Sequence, residues 1–276
     1  MPSRGGDAPA WRRGIIAAGS GPGVSDRRNI AFGWLLALLV VALFTRLGFW
    51  QLDRMHQKQA MLDAVHAVLH DRSPQPLAAA ADPRRSTGYD WSAGAGHFAA
   101  LPAVLLDNQG RDDRAGVRAY RVFQPVSGAP LLVELGWLPL PGDRRMPAVP
   151  LPATTTQVAG LLAPPPSAGI AHSPAVAQPD GTLLAIALDL PMLRRTLQLP
   201  ALAPRVLKLD PAQALGVGPG YARDLDILPN TLPPERHLGY AVQWFGLAIA
   251  VLVTALVVTF RKPGKRGTRP ARTSTR

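Results

Sequence analysis

Two stretches of the chain stay uncharged for long enough to span a lipid bilayer. Residues 238–260, LGYAVQWFGLAIAVLVTALVVTF, hold 23 positions without a charge. At a helical rise of about 1.5 Å per residue they reach about 35 Å, enough to cross a hydrocarbon core of about 30 Å with some tilt. Residues 29–45, NIAFGWLLALLVVALFT, form the other run, which continues past Arg46 through LGFWQL to Leu52. Arg46 falls near one end, where its long stem reaches the headgroups. A cleaved signal peptide is the competing reading of this first run, because the residues before it are basic. The apolar stretch is longer than an h-region of about 7–15 residues, however, and bulky Leu47-Gly48-Phe49-Trp50 stands where a small-x-small cleavage site belongs. The pattern predicts two uncleaved transmembrane helices, 29–49 and 238–260, on either side of a region spanning 50–237.

Inside that region the periodicity changes. Residues 51–70 lack Gly and Pro, and Leu52, Met55, Leu62, Val65 and Leu69 fall near one helical face, while Asp63, His66 and His70 fall on another. The first helix is therefore expected to continue out of the bilayer and to end before Ser73-Pro74. Residues 71–96, rich in Pro, Ala, Gly and Ser, read as a loop. Residues 103–106 form a short apolar run closed by a turn at 107–110. Residues 117–126 and 131–138 flank Ser127-Gly128-Ala129-Pro130 as a hairpin. Residues 154–162, 183–188 and 206–209 are further strand candidates, and 192–198 a short helix with Pro191 at its start. Pro-rich segments at 139–152, 163–179 and 211–234 separate these elements. The fold class expected is a membrane protein with two transmembrane α-helices flanking an extracytoplasmic α+β domain, mainly a β-sheet or partial barrel.

Charge then orients the pair. The formal net charge of +12 suggests nucleic acid until the charges are placed. Residues 1–29 hold five Arg and two Asp, residues 261–276 hold seven Lys or Arg and no acid, and 50–238 carry 17 basic against 16 acidic residues. A nucleic-acid domain shows a basic stripe on its folded face; here the basicity sits in the tails 1–28 and 261–276, so no nucleic-acid partner is expected. By the positive-inside rule both tails remain cytoplasmic and the central domain lies on the far side of the membrane. Phe49 and Trp50 at one outer edge, with Tyr240, Trp244 and Phe245 at the other, suit an aromatic belt. The absence of Cys excludes disulfides, Cys-ligated zinc and thiol redox chemistry. No P-loop, GxGxxG, HExxH or triad spacing supports an enzyme. The leader up to residue 29 shows no periodic pattern.

Three sets of residues carry candidate chemistry. Asp112-Asp113, between Arg111 and Arg114, reads as a solvated charge cluster in a turn. His66 and His70, four apart with Asp63 one turn earlier and His56 on the same segment, stand either as a weak metal site, for copper among others, or as the polar face of an amphipathic helix. His237 immediately precedes the second apolar run, with Tyr240, Ala241 and Trp244 at i+3, i+4 and i+7. An imidazole above such a wall suits an axial haem ligand, with Arg46, Arg54 and Arg236 for propionates, or else an interfacial His that anchors the span.

The order of motifs resembles the Surf1 family. Residues 236–248, RHLGYAVQWFGLA, look like its C-terminal signature HLxYAxxWFxLA, and residues 47–54, LGFWQLDR, resemble its LGxWQLxR. Residues 116–120 with 131–139, LLVELGWLP, resemble the strand pair ending in RGWxP, with Glu134-Leu135 where Asn-Arg is common. Residues 158–162, VAGLL, resemble the next strand, VxGxLR. The resemblance runs across roughly residues 30–260. It implies an assembly factor for haem–copper cytochrome c oxidase, acting in the maturation of subunit I together with the haem a biosynthesis machinery. It also implies transient binding of haem a, with His237 as the iron ligand. The candidate haem-contacting set is His237, Tyr240, Trp244, Trp50, Arg54 and Arg236. The implied setting is the bacterial inner membrane, multi-pass, with the central domain periplasmic. A haem-free scaffold that stabilises an oxidase intermediate is the alternative.

Overall fold

The computed structural model describes residues 24–166, 174–216, 220–228 and 232–261. Most of the two basic tails, and parts of the second and third Pro-rich segments, lie outside the described residues. Along the chain the elements are α1 (Val24–Asp71), β1 (Gln75–Pro76), β2 (Asp90–Phe98), β3 (Val104–Arg111), β4 (Arg114–Pro125), β5 (Leu131–Pro139), β6 (Gln157–Ala163), β7 (Val176–Ala177), β8 (Leu183–Ala185), α2 (Leu190–Thr196), β9 (Val206–Leu209) and α3 (Pro234–Phe260). They divide into two units, Met1–Gln51 with Gly239–Arg276, and Leu52–Leu238.

The helical unit holds the apolar parts of α1 and α3, both long and apolar enough to span a membrane. Leu35, Leu39, Val242, Ile249 and Val257 are exposed along them, as lipid-facing positions are. The two helices approach closely at Gly48, where a Cβ would come within 2.6 Å of the Phe245 ring. Phe49 packs edge-on against Phe245 at 5.4 Å between centroids, and Phe44 packs on Trp244 at 5.4 Å. Glycine at 48 permits the aromatic seam on either side of it.

The helix α1 does continue past the span, as its Gly- and Pro-free periodicity predicts. It ends where Arg72 turns to φ +47° and its N–H donates to Val68 O at 2.8 Å. This closes the last turn with a left-handed residue. In the external unit Val65 is the buried member of the expected apolar face, while Asp63, His66 and His70 are exposed.

Among the described residues, nine strands form one mixed sheet in the order β1-β2-β6-β9-β5-β4-β3-β8-β7, with a further pairing between β2 and β4. The hairpin β4–β5 is its spine, antiparallel from Phe123↔Leu131 to Gly116↔Pro139 with an irregularity between Ala119 and Tyr120. Beside it, β9 runs parallel to β5, with Glu134 opposite Lys208, and antiparallel to β6. Period-two alternation sends Val117, Ala119, Phe123, Leu131, Val133, Leu135 and Leu207 into one apolar cluster, and Tyr120, Val122, Leu132 and Val206 into another on the opposite face. Both faces of the spine are therefore covered.

Four expectations change. The segment 71–96 is not a single loop: it contains β1, two 3-10 turns and most of β2. Small residues disguise β2 in the sequence, and packing requires them. At Gly96, an added Cβ would collide with Gln124 O and the Phe123 ring, because β2 presses against β4 there. The turn expected at 107–110 is instead a bulge within β3, and the reversal lies at Asp112-Asp113, both left-handed with φ +48° and +57°. The short helix begins at Leu190, earlier than expected, because the Asp189 carboxylate caps it by accepting the Met192 N–H at 2.9 Å. The candidate 183–188 shortens too, since only Leu183–Ala185 pairs with β3, whereas 206–209 is β9 as expected.

Candidate functional site

The second span is entered through Pro233-Pro234, and Pro234 suits a first helical turn, whose N–H groups have no intrahelical acceptor. His237 lies in that first turn and is 7% exposed. Lys58 and Arg54, both cations on α1, lie within electrostatic reach of it. Lys58 is itself buried, and its Nζ donates to Leu232 O. Arg54 is exposed and donates to Gln57 Oε1 at 3.2 Å, and Arg236 is exposed beside the imidazole in sequence. Lys58 was not among the sequence candidates. Its signal was present, since it follows Arg54 at i+4 on a helix.

Of the six candidate haem contacts, Arg54, Arg236 and His237 belong to the external unit and Trp50, Tyr240 and Trp244 to the helical unit. Within the helical unit the three aromatic residues differ. Tyr240 is 40% exposed and Trp50 56% exposed. Trp244 is half-buried, with its ring on Phe44. Tyr240 and Trp244 are a turn apart on α3, yet one is presented outward and the other is engaged in helix packing.

The His56, His66 and His70 set does not gather. All three are exposed, and Asp63 accepts from Gln59 Nε2 at 2.9 Å. Among the described residues no group of three or more His, Cys, Asp or Glu is placed to hold a metal ion. Asp112 is 88% exposed, as a solvated turn requires. Arg111 pairs chiefly with Asp224, at 2.6 Å.

The densest polar arrangement is one that residue patterns did not reveal. Glu134 points to the same side of the sheet as Tyr120 on β4 and Lys208 on β9, its cross-strand partners on either hand. Its carboxylate accepts from Arg118 Nη1 at 2.5 Å, Lys208 Nζ at 2.7 Å and Tyr120 Oη at 2.9 Å. Arg118 and Lys208 also approach Asp224, at 3.3 and 3.9 Å. Burial pushes the Glu134 carboxyl up, but Lys208 and Arg118 together hold it below its ordinary value. Burial and the neighbouring carboxylate push the Tyr120 hydroxyl well above its usual range. Glu134 and Lys208 form the polar floor of a cavity of about 440 Å3 whose walls include Leu106, Leu188 and Val206. A second buried pair, Arg205 Nη1 to Asp90 Oδ2 at 2.6 Å, ties the approach to β9 to the start of β2.

Two membrane-spanning helices with an α+β domain between them in sequence define a multi-pass membrane protein, and a buried imidazole lies in the first turn of its second long helix. The chain belongs to the SURF1 family, whose pattern matches residues 38–249. That match takes in the motif-bearing parts of both long helices and the whole sheet. Membership supports a general role in cytochrome oxidase assembly. A comparison with individually curated proteins found no match.

Proposed function

We propose that the chain binds haem a at the outer end of its second span and assists its insertion into subunit I of a haem–copper cytochrome c oxidase. The observation that carries this reading is the buried His237 facing Lys58 and Arg54 at the start of α3. The donor set fits the cargo. A neutral imidazole suits iron, and guanidinium and ammonium groups suit carboxylates. Arg54, Arg236 and Lys58 hold the propionates where water is near, and His237 ligates the iron. Haem supplies an exchangeable axial position. No bond of the macrocycle is made or broken, so delivery is an exchange of ligands rather than turnover.

The basic ends of the two spans lie in the cytoplasm and the sheet domain in the periplasm of a bacterial inner membrane. The ladder that leads from β2 through β6, β9, β5 and β4 back to β2 supports reading the domain as a partial barrel. The partners are subunit I and the machinery that makes haem a. The test is the optical spectrum and haem content of the full chain purified from cells that make haem a. Wild type retains haem and His237→Ala loses it; equal haem in both removes His237 from the site.

A second reading, a haem-free scaffold for an oxidase intermediate, draws on the engagement of Trp244 by Phe44, which commits one ring of the aromatic wall to helix packing. Haem-free protein that still co-purifies with subunit I decides for it.

A further inference from the structure

The helical unit contains a feature that no part of haem handling uses. Between α1 and α3 runs a groove of about 610 Å3 whose walls include Gly33, Trp34 and Ala37 on one helix and Ala250, Thr254 and Val258 on the other. It falls within the range of about 300–1,000 Å3 typical of ligand sites. Small residues open it, since a Cβ at Gly33 would meet nothing within 4 Å. The Trp34 indole N–H donates to Thr259 Oγ1 at 3.0 Å near one end of the groove.

Helical register places a cation at that same end of each wall. On α1, Arg27, Ile30, Trp34 and Ala37 follow i, i+3, i+7 and i+10, one face. On α3, Val251, Thr254, Val258 and Arg261 repeat the spacing, and the Arg261 N–H donates to Val257 O at 2.9 Å, carrying the helical path to it. Both arginines are exposed. Each wall is thus apolar along the groove and ends in a guanidinium, and Arg27 also sits in the first turn of α1, the positive end of its dipole. Basic pockets between membrane helices recognise anionic lipid headgroups.

We propose that this groove is a site for an anionic glycerophospholipid, with an acyl chain along Gly33, Ala37, Ala250 and Thr254 and the phosphate between Arg27 and Arg261. The occupant's chemistry follows from the two ends. A hydrocarbon chain fills the apolar walls. Paired arginines select a headgroup with net negative charge over a zwitterionic one, whose ammonium they repel. A third helix would fill the walls but leave the arginine pair without a counter-charge. The assignment rests on the two spans and is independent of haem.

The test is native mass spectrometry of the full chain released from bilayers with equal amounts of phosphatidylglycerol and phosphatidylcholine of identical acyl chains. Wild type is expected to retain phosphatidylglycerol preferentially. Arg27→Gln and Arg261→Gln each lower that preference about fivefold, the effect of one basic residue at an anionic surface. Gly33→Leu, which fills the groove and keeps both charges, lowers retention of both lipids. Arg84→Gln, an exposed arginine of the external unit, leaves the preference unchanged. Equal retention of the two lipids by wild type, or an undiminished preference in the Arg27/Arg261 double variant, overturns the proposal. So does a Gly33→Leu variant that shifts oligomeric mass while keeping its lipid, because the groove is then a helix-docking face.

Discussion

The unit Leu52–Leu238 holds two groupings of charge, and they differ in composition. Around Glu134, two cations meet two carboxylates and a phenol, and all of them except Asp224 come from adjoining strands of one sheet, with the donors to Glu134 at 2.5–2.9 Å. Around His237, the neighbouring charges include Lys58 and Arg54, both positive. A compensated cluster is consistent with the fold alone, because leaving any member unpaired in the interior is costly. Cations beside His237 are what the proposed haem reading calls for, because propionates are anionic. On that proposal the difference separates what holds the domain together from what it binds.

Substitutions can break that comparison, beginning with the largest expected effect. Glu134→Ala leaves Lys208 and Arg118 buried without their shared carboxylate and is expected to lower stability by about 3–5 kcal/mol, measured as thermal loss of the β-sheet signal of the detergent-solubilised chain. The same measurement against pH sharpens the assignment. Because the folded carboxyl lies below its ordinary value of 4.5, its contribution is complete above that value. It is lost as pH falls through the depressed folded pKa. Glu134→Gln flattens that acid limb, and a limb identical to wild type places the titration elsewhere.

Tyr120→Phe removes one hydrogen bond to a charged acceptor in a fully buried site and is expected to cost about 1.5–3 kcal/mol. A neutral result means Arg118 and Lys208 alone satisfy Glu134. His237→Ala belongs to the other class: stability changes by about 1 kcal/mol while bound haem is lost. A collapse of the fold comparable to that of Glu134→Ala would make His237 a structural residue. The smallest effect on folding is expected at exposed Arg54. Arg54→Gln leaves the melting curve in place and speeds haem release, read as the rate of transfer to an apo-haemoprotein acceptor.

The legibility of the two clusters follows the same division. His237, Arg54 and Arg236 stand in linear motifs on helices, where neighbours in sequence are neighbours in space, so reading along the chain finds them. Lys58 was within reach of the same helical arithmetic and was passed over because a lysine on an exposed-looking helix is unremarkable. Glu134, Tyr120, Lys208 and Asp224 span more than a hundred positions and meet only when β4, β5 and β9 pair. The substitution of Glu134-Leu135 for the Asn-Arg usual in the resembling strand was visible, but not the lysine on β9 that compensates it. The strand β2 was missed for a related reason: glycines that look like a loop in isolation are what a strand needs where β4 presses against it.

By itself the sequence determined the elements whose physics is local: two uncharged runs long enough to cross a bilayer, the helix that extends the first of them, the hairpin of β4 and β5, and the position of His237 at the entrance to the second span. Hydrophobic length and helical periodicity are properties of contiguous residues and need no partner. Only the tertiary structure decided which strands lie side by side, that Glu134 is buried between Lys208 and Arg118, that Trp244 is spent on Phe44 while Tyr240 is presented outward, and that Arg27 and Arg261 cap the two walls of one groove. Each of these depends on side chains brought together by pairing across long chain separations, where register and packing rather than composition select the neighbours.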